Sequence, residues 1–171
     1  MTRKSLEHMN CSWAQTAEVL GDKWSMMIIR CGYFGISTFS EFLSELDISK
    51  TVLTHRLEHL VAHNIFERQP SRTGGTRMVY KLTEKGRDLF PAIVAFGQWA
   101  DKWVFAKTGA PAIIVDRENR RPVRQVEVYS EKGHALALSD VTFSAGPGAS
   151  STTKKIAEQV SEVEPSGPKK R

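Results

Sequence analysis

Cysteine is scarce in this 171-residue chain. Only Cys11 and Cys31 are present, too few for the disulfide framework of a small secreted domain, so a reducing compartment is the natural setting. No apolar run approaches the ~18 residues of a membrane-spanning helix. The opening stretch, Met1 to Asn10, lacks the apolar core of a secretion signal. The chain is therefore expected to be soluble and cytoplasmic, with no membrane partner. Catalytic signatures are missing as well. There is no nucleophile elbow, phosphate loop or cluster of metal ligands, and Gly74-Gly75 is too short to cradle a phosphate. No catalytic residue, metal or cofactor is expected, and no internal repeat is evident.

What is present is a focused positive charge. Between Ser49 and Arg87, eight Lys/Arg (Lys50, Arg56, Arg68, Arg72, Arg77, Lys81, Lys85, Arg87) face three acids (Glu58, Glu67, Glu84). That segment holds +5, equal to the formal charge of the whole chain, so the remainder is neutral overall. A concentrated basic patch implies an anionic partner, although a merely solvated face has the same composition.

The element pattern surrounds that patch. Ser12 caps a helical run from Trp13 to Leu20, closed by Gly21, and Asp22 caps the next helix, Lys23 to about Phe34. Trp24, Met27, Ile28 and Cys31 give that helix a core stripe, with Gly32 and Gly35 ending it. Ile36-Ser37 fits a very short strand. Thr38 and Glu41 form a capping box for a helix whose buried side is Phe39, Phe42, Leu43 and Leu46. Asp47-Ile48-Ser49 makes a turn, with Ile48 inward and Ser49 free to cap the next helix.

That helix, Lys50 to His63, sets Leu53, Leu57 and Leu60 on one face and Thr51, His55, Glu58 and Ala62 on the other, with Thr54 and His59 flanking. Asn64 can take the left-handed conformation that stops it. His55, His59 and His63 step by four, a chelating spacing, but no carboxylate or cysteine completes a metal site. Ile65–Gln69 and Arg77–Leu82 alternate like strands around the tip Pro70–Thr76. Thr83 caps a long helix carrying Leu89, Ile93, Phe96, Ala100 and Trp103, which Pro91 must kink or interrupt.

The order helix, tight turn, helix, hairpin is the winged helix-turn-helix plan, an α+β and mainly helical fold. A helix fits the major groove of B-DNA, and its N-terminal half usually meets base edges. Here that half supplies Ser49, Lys50, Thr51, Thr54, His55 and Arg56, while the hairpin supplies Arg72, Thr73, Thr76 and Arg77 for the backbone or minor groove. Arg56→Ala and Arg77→Ala are expected to weaken operator binding without unfolding the protein. A winged-helix protein-interaction module that never touches DNA is the rival reading.

Several ordered segments resemble one family. Cys11-Ser12-Trp13, Leu20-Gly21-Asp22-Lys23-Trp24, Phe39-Ser40-Glu41-Phe42, Ile48 to Leu53 and Tyr80 to Gly86 are similar to the HxlR-type winged-helix transcriptional regulators. The likeness runs from about Cys11 to Trp103. It implies a homodimer on palindromic double-stranded operator DNA, hence association with the nucleoid, with the N-terminal and long C-terminal helices making the dimer. The residues agree, since Leu89, Ile93, Phe96, Trp99 and Trp103 offer more apolar surface than one small domain covers. Trp13, Phe96, Trp99 and Trp103 are the expected dimer contacts. Cys11 resembles the N-terminal cysteine with which some members sense oxidants or electrophiles, and a thiol near a helix N-terminus is favoured toward the reactive thiolate. Cys31, on the core stripe, reads as packing. A small-molecule effector stays unidentified.

The domain plan is a flexible N-terminus (1–10), a winged domain for DNA binding and dimerisation (11–108), a small β extension (109–145) and a disordered tail (146–171). Strands are expected at Ala112–Val115, Val123–Tyr129 and Asp140–Phe143. The extension resembles the small zinc ribbon of longer members, but the ligand positions hold Asp116, Asn119, Tyr129 and Lys132, which implies a degenerate, metal-free hairpin. From Ser144 onward the Gly, Pro, Ser, Thr, Lys and Glu composition cannot offset its ordering entropy, and only a transient helix near Lys155 to Val163 is expected.

Overall fold

Helix capping by short polar side chains sets the framework of the chain. A computed structural model describes residues 5–71 and 77–161. The chain packs as two units, Thr16–Arg124 and a second built from its two ends, Met1–Gln15 with Gln125–Arg171.

In the first unit, Asp22 accepts the Trp24 and Ser25 amides and starts α2 (Lys23–Tyr33) after α1 (Ser12–Leu20). Thr38 and Glu41 form the full capping box of α3 (Phe39–Leu46), with Glu41 Oε2 accepting the Ser37 and Thr38 amides at 3.0 and 2.9 Å. Those two amides, aided by the Thr38 hydroxyl and the more distant Arg77, hold the Glu41 carboxyl below its ordinary range. Ser49 Oγ accepts the Val52 amide and opens α4 (Lys50–Ala62), which Asn64, at φ 56°, helps to end. The hairpin pairs β1 (Phe66–Pro70) with β2 (Met78–Leu82), Phe66 opposite Leu82 and Pro70 opposite Met78.

The core lies where α2, α3, α4 and the hairpin meet. Ile28, Ile29, Phe42, Leu53, Leu57, Leu60, Ile65 and Phe66 are buried, and the Phe42 ring meets Phe66 and Tyr80 edge-on. Full burial of one such side chain contributes about 1.5–3 kcal/mol.

Three features of this part of the unit differ from the sequence expectation. The buried stripe of α2 is Ser25, Ile28, Ile29 and Cys31, with Met27 exposed and Trp24 only half-buried. The helix is turned so that Ile29, not Met27, meets the core. Gly32 lies inside α2 rather than ending it, because the Phe66 ring stands 2.7 Å from where a Cβ would be. Gly35, at φ 90°, makes the turn beyond the helix end. In place of a strand at Ile36-Ser37, Thr38 bridges Val79 and Ser37 O accepts the Tyr80 amide at 2.7 Å, giving the hairpin a rudimentary third edge.

The helix after Thr83 divides into α5 (Glu84–Asp88) and α6 (Phe90–Trp103), with Pro91 in the first turn of α6, where its missing N–H costs nothing. Gly86 of α5 sits against the Ile65 carbonyl, and Tyr33 Oη donates to Gly86 O at 2.6 Å. Burial, and secondarily Asp88, push the Tyr33 phenol up to about 12. The same unit includes the turn from Ile114 to Arg124. There the expected strands shrink to a single bridge, Val115 with Pro122, and Gln98 Nε2 donates to Arg124 O. Asp116 Oδ1 accepts the Glu118 and Asn119 amides and Asn119 Oδ1 accepts the Arg121 amide, so these side chains serve the turn.

The second unit joins the chain ends. Gln15 Nε2 donates to the Glu7 and Met9 carbonyls, and Asn10 Oδ1 accepts the Ser150 amide at 3.0 Å. Strands reduce to β3 (Val128–Tyr129) paired with β4 (Ala135–Leu136), turning at Gly133 (φ 79°). Residues 140–143 form no strand; a 3₁₀ turn spans Leu138–Asp140. Too few apolar side chains are buried here to support longer ladders. The tail expectation is corrected over Ser151–Ser161, which is helix α7. Ser150 Oγ accepts the Thr153 amide at its start, and Ile156, Ala157 and Val160 give it an apolar side with Ala157 buried. Residues 162–171 lie outside the described part. Among the described residues no helix is long and apolar enough to cross a membrane.

Candidate nucleic-acid interface

Two adjacent elements create a polar, basic surface. Asp47, left-handed at φ 47°, turns the chain sharply after α3, and half-buried Ile48 packs against the core. These two residues aim α4. Leu53, Leu57 and Leu60 are fully buried, so helical geometry sends Lys50, Thr51, Thr54, His55 and Glu58 outward, and all five are exposed. Ser49 is exposed while capping the helix. His55 Nδ1 lies 3.9 Å from Glu58 Oε2 on the open face, a pair that solvent screens.

Arg56 differs from its neighbours. It is one-third exposed, and its Nε lies 3.1 Å from Asp22 Oδ1, the oxygen that caps α2. The separation is that of an ion pair, although the N–H is not aligned for a hydrogen bond. Arg56 thus fastens α4 to the start of α2.

On the hairpin, Arg68, Arg77 and Lys81 are exposed, and Ser71 N donates to Arg77 O at the base of the tip. Arg72, Thr73 and Thr76 lie outside the described residues. By the hairpin register Lys81 shares a side of the wing with Arg77, whereas Arg68, opposite Tyr80, lies on the other side; only their charge marks them in the sequence. Their two-residue alternation predicts no face once the strands pass the edge of the core. His59 and His63 turn elsewhere: His59 Nε2 is 3.3 Å from Val19 O, and His63 Nδ1 is 2.9 Å from His59 O. Among the described residues no three His, Cys, Asp or Glu side chains gather as a metal site.

Several apolar side chains of α6, and Trp13 of α1, are open to solvent. Phe96, Trp99 and Trp103 are more than half exposed and Trp13 is 72 % exposed, while Val94 is buried and Leu89 and Ile93 pack against the core. Cys11 is half-buried, and Cys31 is buried, with burial raising its thiol despite neighbouring Arg30.

Known proteins resemble this chain in sequence and fold. Residues 19–108 match the model of the HxlR-like helix-turn-helix family. An uncharacterised HTH-type transcriptional regulator of Mycobacterium bovis, Mb3122, is 31% identical over 137 residues, 80% of this chain and 87% of that protein. The crystal structure of PA1607, a candidate transcription factor, superposes with a TM-score of 0.79 at 35% identity, covering 84% of this chain and all of PA1607. The redox regulator HypR in its reduced form aligns with a TM-score of 0.51 at 27% identity, over 56% of this chain and 98% of HypR. The chain belongs to the HxlR-like helix-turn-helix family of transcriptional regulators.

Proposed function

We propose that this protein is a sequence-specific, homodimeric regulator that reads a palindromic operator in nucleoid DNA. The N-terminal half of α4 enters the major groove, and the wing braces the backbone or an adjacent minor groove. The observation that carries the reading is the exposure of Lys50, Thr51, Thr54 and His55 opposite the sealed leucine face of α4. Small hydroxyls permit close approach, Lys50 neutralises phosphate, and His55 can donate to a guanine acceptor. Arg77, with Arg72, Thr73 and Thr76 of the tip, supplies the wing contacts. Dimerisation through Trp13, Phe96, Trp99 and Trp103 sets the half-site spacing near one helical turn.

The test is binding to a fragment selected from genomic DNA, measured across salt concentrations. Lys50→Ala and Arg77→Ala are each expected to weaken binding and flatten the salt dependence by about one for every phosphate no longer neutralised. Unchanged affinity and slope in both variants would overturn the assignment. Weak, salt-insensitive association of the parent protein would leave a protein-interaction module instead.

Likeness to the redox regulator HypR supports a second role, thiol sensing through Cys11. The supporting observation is that Cys11 is the more accessible of two free cysteines. Iodoacetamide is expected to label Cys11 well before Cys31 and to lower DNA affinity, with Cys11→Ser binding DNA but indifferent to the reagent. An equal response from Cys11→Ser would rule the role out.

A further inference from the structure

We infer that Glu58 is a base-reading residue, its carboxylate accepting the N4 amino group of a cytosine in each half-site while neighbouring His55 donates to guanine. The inference rests on the DNA-binding reading above and names the base that the third turn of α4 selects.

Position comes first. Thr51, His55, Glu58 and Ala62 follow one another at steps of four, three and four residues, and all are exposed. They form the line of α4 opposite Leu53, Leu57 and Leu60, which are sealed in the core. A helix in the major groove reads bases most closely at its N-terminal end. Along this line the side chains lengthen from Thr51 to Glu58, which suits a helix that recedes from the groove floor. His55 and Glu58 lie three residues apart, about 4.5 Å along the axis, little more than one base-pair step of about 3.4 Å.

Charge makes Glu58 informative. It is the one acid in α4. The other two acids of the basic segment have local roles away from that line. Glu67 accepts a hydrogen bond from Gln69 and lies opposite Lys81, and Glu84 occupies the first turn of α5, where a helix dipole favours it. Glu58, past the middle of its helix, gains nothing from the dipole. A carboxylate facing DNA is repelled by phosphate, so its place on this line weakens binding unless it meets a hydrogen-bond donor.

The major groove offers few such donors. Thymine and guanine present acceptors, which a carboxylate repels, and the adenine amino group stands beside the N7 acceptor. Cytosine presents its amino group without an adjacent acceptor, and is the base that Glu matches. His55 completes the edge. Its Nδ1 faces Glu58 Oε2 at 3.9 Å, and protonated imidazole keeps Nε2 as a donor for guanine N7 or O6. Acceptance of one base and repulsion of the others is how such a residue confers specificity rather than affinity.

The test is titration of the full-length protein with the selected genomic fragment and with duplexes changed symmetrically at single base pairs. For the parent, replacing the cytosine at one position of each half-site is expected to weaken binding about fivefold or more. Glu58→Ala should become indifferent to the base there while keeping the other preferences. Glu58→Gln should prefer adenine at the same position, because its amide pairs with both N6 and N7. Neither variant should alter the salt slope, since no phosphate contact is lost. The Glu58 side chain is 71% exposed, so circular dichroism should be unchanged. Retention of the parent's preferences by either variant, or uniformly tighter binding of Glu58→Ala to every duplex, overturns the assignment and leaves sequence-specific binding standing. A parent protein without any sequence preference overturns both.

Discussion

Arg56 occupies the helix assigned to the DNA groove, yet its guanidinium is turned toward Asp22. On the proposed reading, a residue so placed acts on DNA only through the angle at which α4 is held, because it links that helix to the capped start of α2. Arg56→Ala is accordingly expected to lower stability in urea by roughly 0.5–1 kcal/mol, a value suited to a partly exposed pair. Any accompanying loss of DNA affinity should leave the salt slope unchanged, in contrast to Lys50→Ala. A slope reduced by about one would instead put Arg56 on a phosphate. In the sequence Arg56 is indistinguishable from the other basic groups of its helix, since a pair between positions 22 and 56 leaves no trace in local spacing. The caps were legible for the opposite reason. Thr38 with Glu41, Ser49 and Thr83 each bond to an amide within three residues, so sequence distance and spatial distance nearly coincide.

At the scale of elements, the aim of the winged unit depends on close approaches that only small residues allow. Gly86 is buried under the Ile65 carbonyl, which holds the start of α5 against the end of α4 and the base of the wing. Gly86→Ala drives a methyl into backbone rather than a movable side chain. The expected cost is about 1–3 kcal/mol, toward the upper end, read as a lower urea midpoint with an unchanged slope. A midpoint within experimental error of the parent would show that α5 shifts freely. Periodicity located α3 and α4 because each buries one apolar side. It failed for the strands after Gly109, where the side chains are mostly exposed and turns organised by Asp116 and Ser130 do the shaping. It failed again for α7, whose composition reads as a tail but whose first turn is tied to Asn10 from the far end of the chain.

For the whole molecule, the proposed dimer turns on the exposed aromatic face of α6. Trp99→Glu with Trp103→Glu places charges on that face without touching the buried core. The variant is expected to sediment as a monomer and to bind the selected fragment about 100-fold or more weaker, since a single copy loses the benefit of two linked half-site contacts. A dimer of normal affinity would exclude α6 from the interface.

What the sequence determined by itself was the class of protein: the helix-turn-helix and wing order, the leucine face of α4, the basic segment and the family to which they belong. All of these arise from patterns repeated within a few residues, where helix and strand geometry dictates which side chains share a face. Tertiary structure decided the rest: the Arg56–Asp22 pair, the turned face of α2, and the union of the two chain ends. Each depends on residues far apart in sequence being brought together by packing, and no local period encodes such a meeting.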